Sequence, residues 1–238
     1  MERLQLRVWV GVLCLACVAS VSMADAISVN IEGNLGISVG GQTAGVVSVG
    51  NWNEYAGGAG NTLSGLVDDQ GVATTAAYTM TASNPWSTVE NPAIPGDPGS
   101  NAMMNGHNYL FPGETLNLWV AGVPYTKYDI YVYYNSQSVV NNSQTFTLLE
   151  KSASLLANEN TLPGVVTAFV ECTGANNGNY IVFRDVDLSV FTLQSTTTPG
   201  AQMGYLYVNG IQIVEVPEPA TMVLLGAGGL LTLLRRRK

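Results

Sequence analysis

Alternation of apolar and polar residues, rather than helical spacing, organises the middle of the chain. From Ile27 to Ile31, Ile27, Val29 and Ile31 fall on one side and Ser28 and Asn30 on the other, the pattern of a half-buried strand. Tyr128 to Tyr134 gives the strongest example, with Tyr128, Ile130, Val132 and Tyr134 opposite Asp129, Tyr131 and Tyr133. Similar patterns predict strands over Ala73–Ala82, with Tyr78 and Met80 on one face, and over Thr115–Val120 and Thr145–Leu149. Val165–Glu171, Tyr180–Phe183, Ser189–Leu193 and Gly204–Val214 continue the series. Pro163-Gly164, Asn176-Asn177-Gly178 and Pro199-Gly200 supply turns between them. About nine to eleven strands in one core-sized domain predict an all-β fold, an antiparallel β-sandwich of jelly-roll type.

Several segments break this pattern. Asn209-Gly210 reads either as a two-residue hairpin turn or as a bulge within one final strand. Asn84 to Met104 holds four prolines and is predicted to be a long ordered loop. Asn105-Gly106-His107-Asn108 reads as a turn at the surface, and Thr196-Thr197-Thr198 as a loop.

The two ends differ from the body. Arg3 and Arg7 precede an apolar run, Val8 to Val21, and Ser22-Met23-Ala24 is a small-residue cleavage site, so residues 1–24 read as a signal peptide cut after Ala24. Cleavage after Ala26 fits nearly as well. A lipoprotein signal at Cys17 is disfavoured, because Cys14 occupies the position where such signals carry Leu. At the other end stand Pro217-Glu218-Pro219, an apolar stretch from Ala220 to Leu234, and Arg235-Arg236-Arg237-Lys238. As a helix, Ala220–Leu234 would be roughly 22 Å long, short against a hydrocarbon core of about 30 Å. The basic cluster would stay on the cytoplasmic side.

This tail resembles the PEP-CTERM sorting signal of Gram-negative, exopolysaccharide-producing bacteria. The resemblance implies that Pro217, Glu218, Pro219, Arg235, Arg236 and Arg237 direct sorting, with an exosortase-type membrane protease and a signal peptidase as partners. It further implies a precursor tethered in the inner membrane by a short transmembrane helix, followed by a cell-surface or extracellular product. The body is similar to a secreted β-sandwich module of planctomycete-type bacteria. That likeness rests on Gly45-Val46-Val47, Asn51-Trp52-Asn53, Asn84-Pro85-Trp86, Tyr128 to Tyr133, Asn179 to Phe183 and Asn209 to Ile213. Its closing strand also resembles that of galactose-binding-like jelly rolls. The expected organisation is therefore signal peptide 1–24, sandwich 25–215 and sorting signal 216–238.

Charge narrows the function. The chain holds 17 acidic and 9 basic residues. Between Asp25 and Glu215, setting aside Glu2 and Glu218 leaves 15 acidic residues against Lys127, Lys151 and Arg184, a net of −12. Such a body repels phosphate backbones, which excludes nucleic-acid partners. Cys172 is the one cysteine left after the signal peptide, so no internal disulfide is expected and the thiol is predicted to pack as a small hydrophobe.

Catalytic signatures are sparse. His107 is the only histidine and no G-x-S-x-G elbow occurs. Glu54, Glu90, Glu114 and Glu171 are the carboxylates available for a glycosidase pair, but none sits in a local signature. The expectation is a non-enzymatic protein with no certain cofactor. A structural calcium is the cofactor weighed, on Asp68-Asp69 and on Asp185 and Asp187, which alternate onto one face of an extended segment. Aromatic rings can stack on the apolar faces of sugars, so Trp86, Trp119, Tyr131 and Tyr133 are the candidate contacts for extracellular polysaccharide. A purely structural or adhesive matrix protein is the alternative, and a polysaccharide-processing enzyme the third reading.

Overall fold

The computed structural model describes residues 25–57, 60–81, 84–87, 94–111, 113–135, 143–158, 167–197 and 206–217. Ala24 and the signal peptide, the tail from Glu218 onward and Glu90 lie outside these residues, as do the expected helices at both ends. Pro217 is the last described residue and is exposed. Among the described residues, no helix is long and apolar enough to cross a membrane.

Asp25–Val216 forms a compact unit built on two facing sheets. One contains β1 (Ala26–Ile31), β2 (Asn53–Tyr55), β8 (Tyr128–Tyr133), β11 (Tyr180–Val186) and β14 (Gly210–Glu215), in the order β11-β8-β14-β1-β2. Its pairings are antiparallel except β1 with β2. The other contains β3 (Thr62–Ser64), β4 (Ala77–Met80), β7 (Thr115–Ala121), β9 (Ser143–Leu148), β10 (Ala153–Asn158) and β12 (Val190–Thr197), in the order β10-β9-β12-β7-β4-β3. Alternation places Ile27, Val29, Ile130, Val132, Ile211 and Ile213 of the first sheet in one core with Tyr78, Leu116, Leu118, Val120, Phe146 and Phe191 of the second. Free Cys172 is buried in this core.

The fold is thus mostly β and sandwich-like, and the most regular strands lie where alternation predicts them. Four expectations are corrected. Of Ala73–Ala82, whose last residue lies outside the described residues, only the four residues of β4 are strand, because Thr74 N donates to Leu66 O and ties the residues between them into a turn. In Val165–Glu171, residues 167–170 are not strand and Glu171 makes only an isolated bridge to Tyr180. The supposed loop Asn84–Met104 contains β5 (Pro85–Ser87) and α1 (Pro98–Asn105). Asp97 caps α1 by accepting from Ser100 N at 2.9 Å, and Pro98 opens it, where a missing N–H costs nothing. Thr196 and Thr197 belong to β12 and are not a loop.

A third, small sheet, in the order β13-β6-β5, joins β5 to β6 (Gly106–Leu110) and β13 (Leu206–Val208). Asn209-Gly210 is where one extended segment leaves this sheet and enters the five-stranded one, so it is not a hairpin turn. The Asn209 side chain holds that crossing by donating to the carbonyls of Met104 and Gly106, each at 2.9 Å.

The outer face of the five-stranded sheet is covered around Tyr133. A loop carrying Val39, Ala44 and Trp52, together with Met103 and Met104 of α1, packs over it around Tyr133. Under this cover Val46 N donates to Tyr133 Oη at 2.9 Å, the same hydroxyl bonds the Gln212 carboxamide oxygen, and Gln212 Nε2 donates to Val47 O at 2.9 Å and Ser28 Oγ at 3.2 Å. Tyr133→Phe deletes the centre of this buried network and leaves two partners unmatched. It should lower unfolding free energy by about 1–3 kcal/mol, measured by urea denaturation.

Candidate functional site

The predicted site residues separate by sheet. Tyr133 is 0% exposed, which removes it as a glycan contact. The expectation assumed that each sheet of a sandwich keeps one wet face, and the third layer violates that. Tyr131 is half-buried against Tyr180 in the same layer. Trp119 projects from the outer face of the six-stranded sheet, 39% exposed.

Trp86 lies in the small sheet, with aromatic neighbours that sequence reasoning did not single out. In β6, His107 and Tyr109 share a face two residues apart, and Phe111 follows. Across the antiparallel pairings Trp86 stands opposite His107, and Tyr207 opposite Tyr109. All five rings therefore line one side. Their contacts are edge-on: Trp86–Tyr109 at 6.5 Å, Tyr109–Phe111 at 5.6 Å, His107–Tyr109 at 6.4 Å and His107–Tyr207 at 5.3 Å between centroids. Trp86 and Phe111 are each 48% exposed and Tyr109 is half-buried, whereas His107 and Tyr207 form a buried floor.

His107 is therefore not a surface loop residue. It is 2% exposed, and burial lowers its pKa to about 4 against the opposing pull of a hydrogen bond with the Asn105 backbone. Its Nδ1 has no hydrogen-bond partner. The imidazole is neutral at ordinary pH and works as a wall of the aromatic row. The alternation Gly-His-Asn-Tyr-Leu-Phe over residues 106–111 was the available signal, masked by the turn-like Asn105-Gly106 before it.

Close backbone approaches hold the row in place. Gly33, at φ 67°, sits where a Cβ would lie 2.2 Å from Trp86 O, and Ser87 Oγ accepts from Leu35 N at 3.1 Å. Asn108 Oδ1 accepts from Asn84 N at 2.7 Å, closing the start of β5 onto β6.

The aspartates considered for calcium are dispersed. Asp185 sits at a bulge with φ 57° and pairs with Lys127 at 2.7 Å, so it does not alternate with Asp187 on a regular strand. Asp187 pairs with Lys151, which holds its carboxyl below the usual value, chiefly through a hydrogen bond. Asp68 Oδ1 accepts from Gln70 N and Val72 N, and Asp69 Oδ1 from Ala26 N. Among the described residues no three His, Cys, Asp or Glu side chains converge on one point. The carboxylates weighed for catalysis are also engaged: Glu171 with Arg184, Glu114 with Phe111 N, and Glu54 with Asn30 and Ser38. A cleft of about 360 Å³ opens where the edges of β10 and β11 part, but its cations, Lys151 and Arg184, are both paired.

Residues 215–238 match the PEP-CTERM protein-sorting motif. The chain carries a PEP-CTERM sorting signal. That motif implies export, processing by an exosortase and sorting to the cell surface. No curated protein matches the chain. Among solved structures, the extracellular domain of ANXUR1 from Arabidopsis thaliana is similar at 14% identity and a TM-score of 0.41, over 82% of this chain and 52% of that one. The PEP-CTERM chain thus spans about half the length of that structure.

Proposed function

We propose that this PEP-CTERM protein is a non-enzymatic surface or matrix component that contacts polysaccharide through Trp86, Tyr109 and Phe111. On this reading a signal peptidase cuts after Ala24, the apolar segment at residues 220–234 holds the precursor in the inner membrane, and an exosortase-type protease removes it. The observation that carries the proposal is the solvent-open pair Trp86 and Phe111 flanking Tyr109 on one sheet face. Rings fixed in this way offer apolar area to a sugar with little loss of side-chain entropy. The burial of the neutral His107 supports a binding role over acid–base chemistry.

A glycan array probed with the full chain in detergent, with calcium and with chelator, tests the reading. Trp86→Ala and Phe111→Ala should each weaken binding roughly tenfold, and the chelator should change nothing, because the four aspartates already serve protein partners. A blank array from folded protein would favour the structural, adhesive reading.

A further inference from the structure

The outer face of the six-stranded sheet combines breadth with a complete lack of charge. In β3, β4, β7, β9, β10 and β12, the residues that alternate away from the core are Thr, Ser, Asn, Gln, Ala, Val, Leu and one Trp. None is ionisable, on a body whose net charge is −12. High strand propensity accounts for threonine on an open sheet face, but it does not account for the absence of Lys and Glu, which ordinarily keep such faces soluble.

The strand registers place these side chains in cross-strand rows. Thr62, Thr79, Trp119 and Thr192 stand side by side across four strands. Asn117, Gln194, Thr147 and Ser154 form a second row on β7, β12, β9 and β10. Neighbours within rows hydrogen-bond to one another: Thr62 with Thr79 at 2.8 Å, Thr147 with Ser154 at 2.9 Å, and Gln194 Nε2 with Asn117 Oδ1 at 3.1 Å. These bonds orient the groups, and each hydroxyl oxygen has two lone pairs as well as its proton. The nearby carboxylates are turned to backbone at the strand ends, Glu150 to Thr192 N and Glu114 to Phe111 N, each by a side-chain bond.

We propose that this face docks a neutral, extended polysaccharide, with the Trp119 ring against the apolar face of one sugar and the flanking Thr79 and Thr192 hydroxyls bonding its neighbours. Strands about 4.8 Å apart repeat on the scale of a single pyranose ring, so a row can meet successive sugars of one chain. A polymer without charge matches the uncharged face, and the acidic remainder of the body repels uronic or sulfated chains. The site lies on a different sheet from the Trp86 row and does not rest on that reading.

Retention of the full chain, in detergent, on insoluble cellulose and curdlan and on alginate beads tests the proposal at low and high salt. The expected result is retention on at least one neutral polymer at both salt levels and little on alginate. Trp119→Ala should weaken it roughly tenfold and Thr79→Val with Thr192→Val roughly fivefold. Both changes are on the solvent face, and circular dichroism of the variants checks that they fold. Equal retention on alginate would overturn the proposal, as would retention indifferent to Trp119→Ala or no retention of folded protein on either neutral polymer. Self-association abolished by Trp119→Ala, without glycan retention, would assign the face to a second copy of the chain instead. Loss of binding in Trp86→Ala alone would leave the aromatic-row reading standing and remove this one.

Discussion

Gly106→Ala is expected to destabilise the domain by about 3 kcal/mol or more and to abolish glycan binding by the aromatic row. A Cβ at this position would lie 2.1 Å from Ile31 O, 2.7 Å from Glu32 C and 2.8 Å from Glu32 O. These are backbone atoms at the end of a fully buried strand, so no side chain can swing aside to make room. Gly106 has extended backbone angles, φ −80° and ψ 140°, so conformational freedom is not the reason for glycine here. Close approach is. The added methyl must push the start of β6 away from β1, and Asn209, which donates to Gly106 O, loses its grip on the point where the chain changes sheets. His107, Tyr109 and Phe111 follow directly in sequence, so their rings lose register with Trp86. Thermal and urea denaturation measure the loss; a variant as stable as the parent would show that β6 does not seat against the end of β1.

Acid should weaken the fold by about 3 kcal/mol through His107 alone. Its pKa falls from 6.5 in the open chain to about 4 in the fold, because burial penalises the imidazolium. Between those values the unfolded state binds the extra proton, so stability decreases as pH falls from about 6.5 and the whole contribution is lost below about 4. Glu32 and Asp187 act with the opposite sign or at lower pH. The Glu32 carboxyl is raised by burial and by the Glu54 charge, so its protonation favours the fold on acidification, while Asp187 is lowered by its bond to Lys151 and loses that contribution only below the usual carboxylate range. Comparing the parent with His107→Phe isolates the histidine. Urea midpoints taken between pH 7 and pH 4 should fall steeply in the parent and much less in the variant. Parallel curves would mean that His107 is solvated.

The two effects share a cause. β6 is packed closely enough to exclude both a methyl group at Gly106 and a charge at His107, and that packing positions Tyr109 and Phe111 beside Trp86.

Alternation in the sequence was enough to locate β1, β7, β8 and β9, and the core side of the first three, because neighbouring side chains on a strand point to opposite faces. The tail was legible for a similar reason: Pro-Glu-Pro, an apolar run and an arginine cluster form a contiguous, one-dimensional pattern that residues 215–238 satisfy. Net charge, and with it the expectation that nucleic acid is not a partner, also needed no structure.

What lay on the second face of each sheet was a tertiary matter. Tyr131 and Tyr133 alternate away from Ile130 and Val132 much as Trp119 does from Leu118 and Val120, yet Tyr133 is buried and Trp119 is open. The difference comes from chain far away in sequence, the loop through Val39 and Trp52 and the helix at Met103 and Met104, folding over one sheet and not the other. Pairing register decided the rest. It brought Trp86 and Tyr207 to His107 and Tyr109 from segments about twenty and a hundred residues distant, and aligned threonines of separate strands into rows. Local preference specifies which residues of a strand face together; only long-range packing specifies which strands are neighbours and which face is left for solvent.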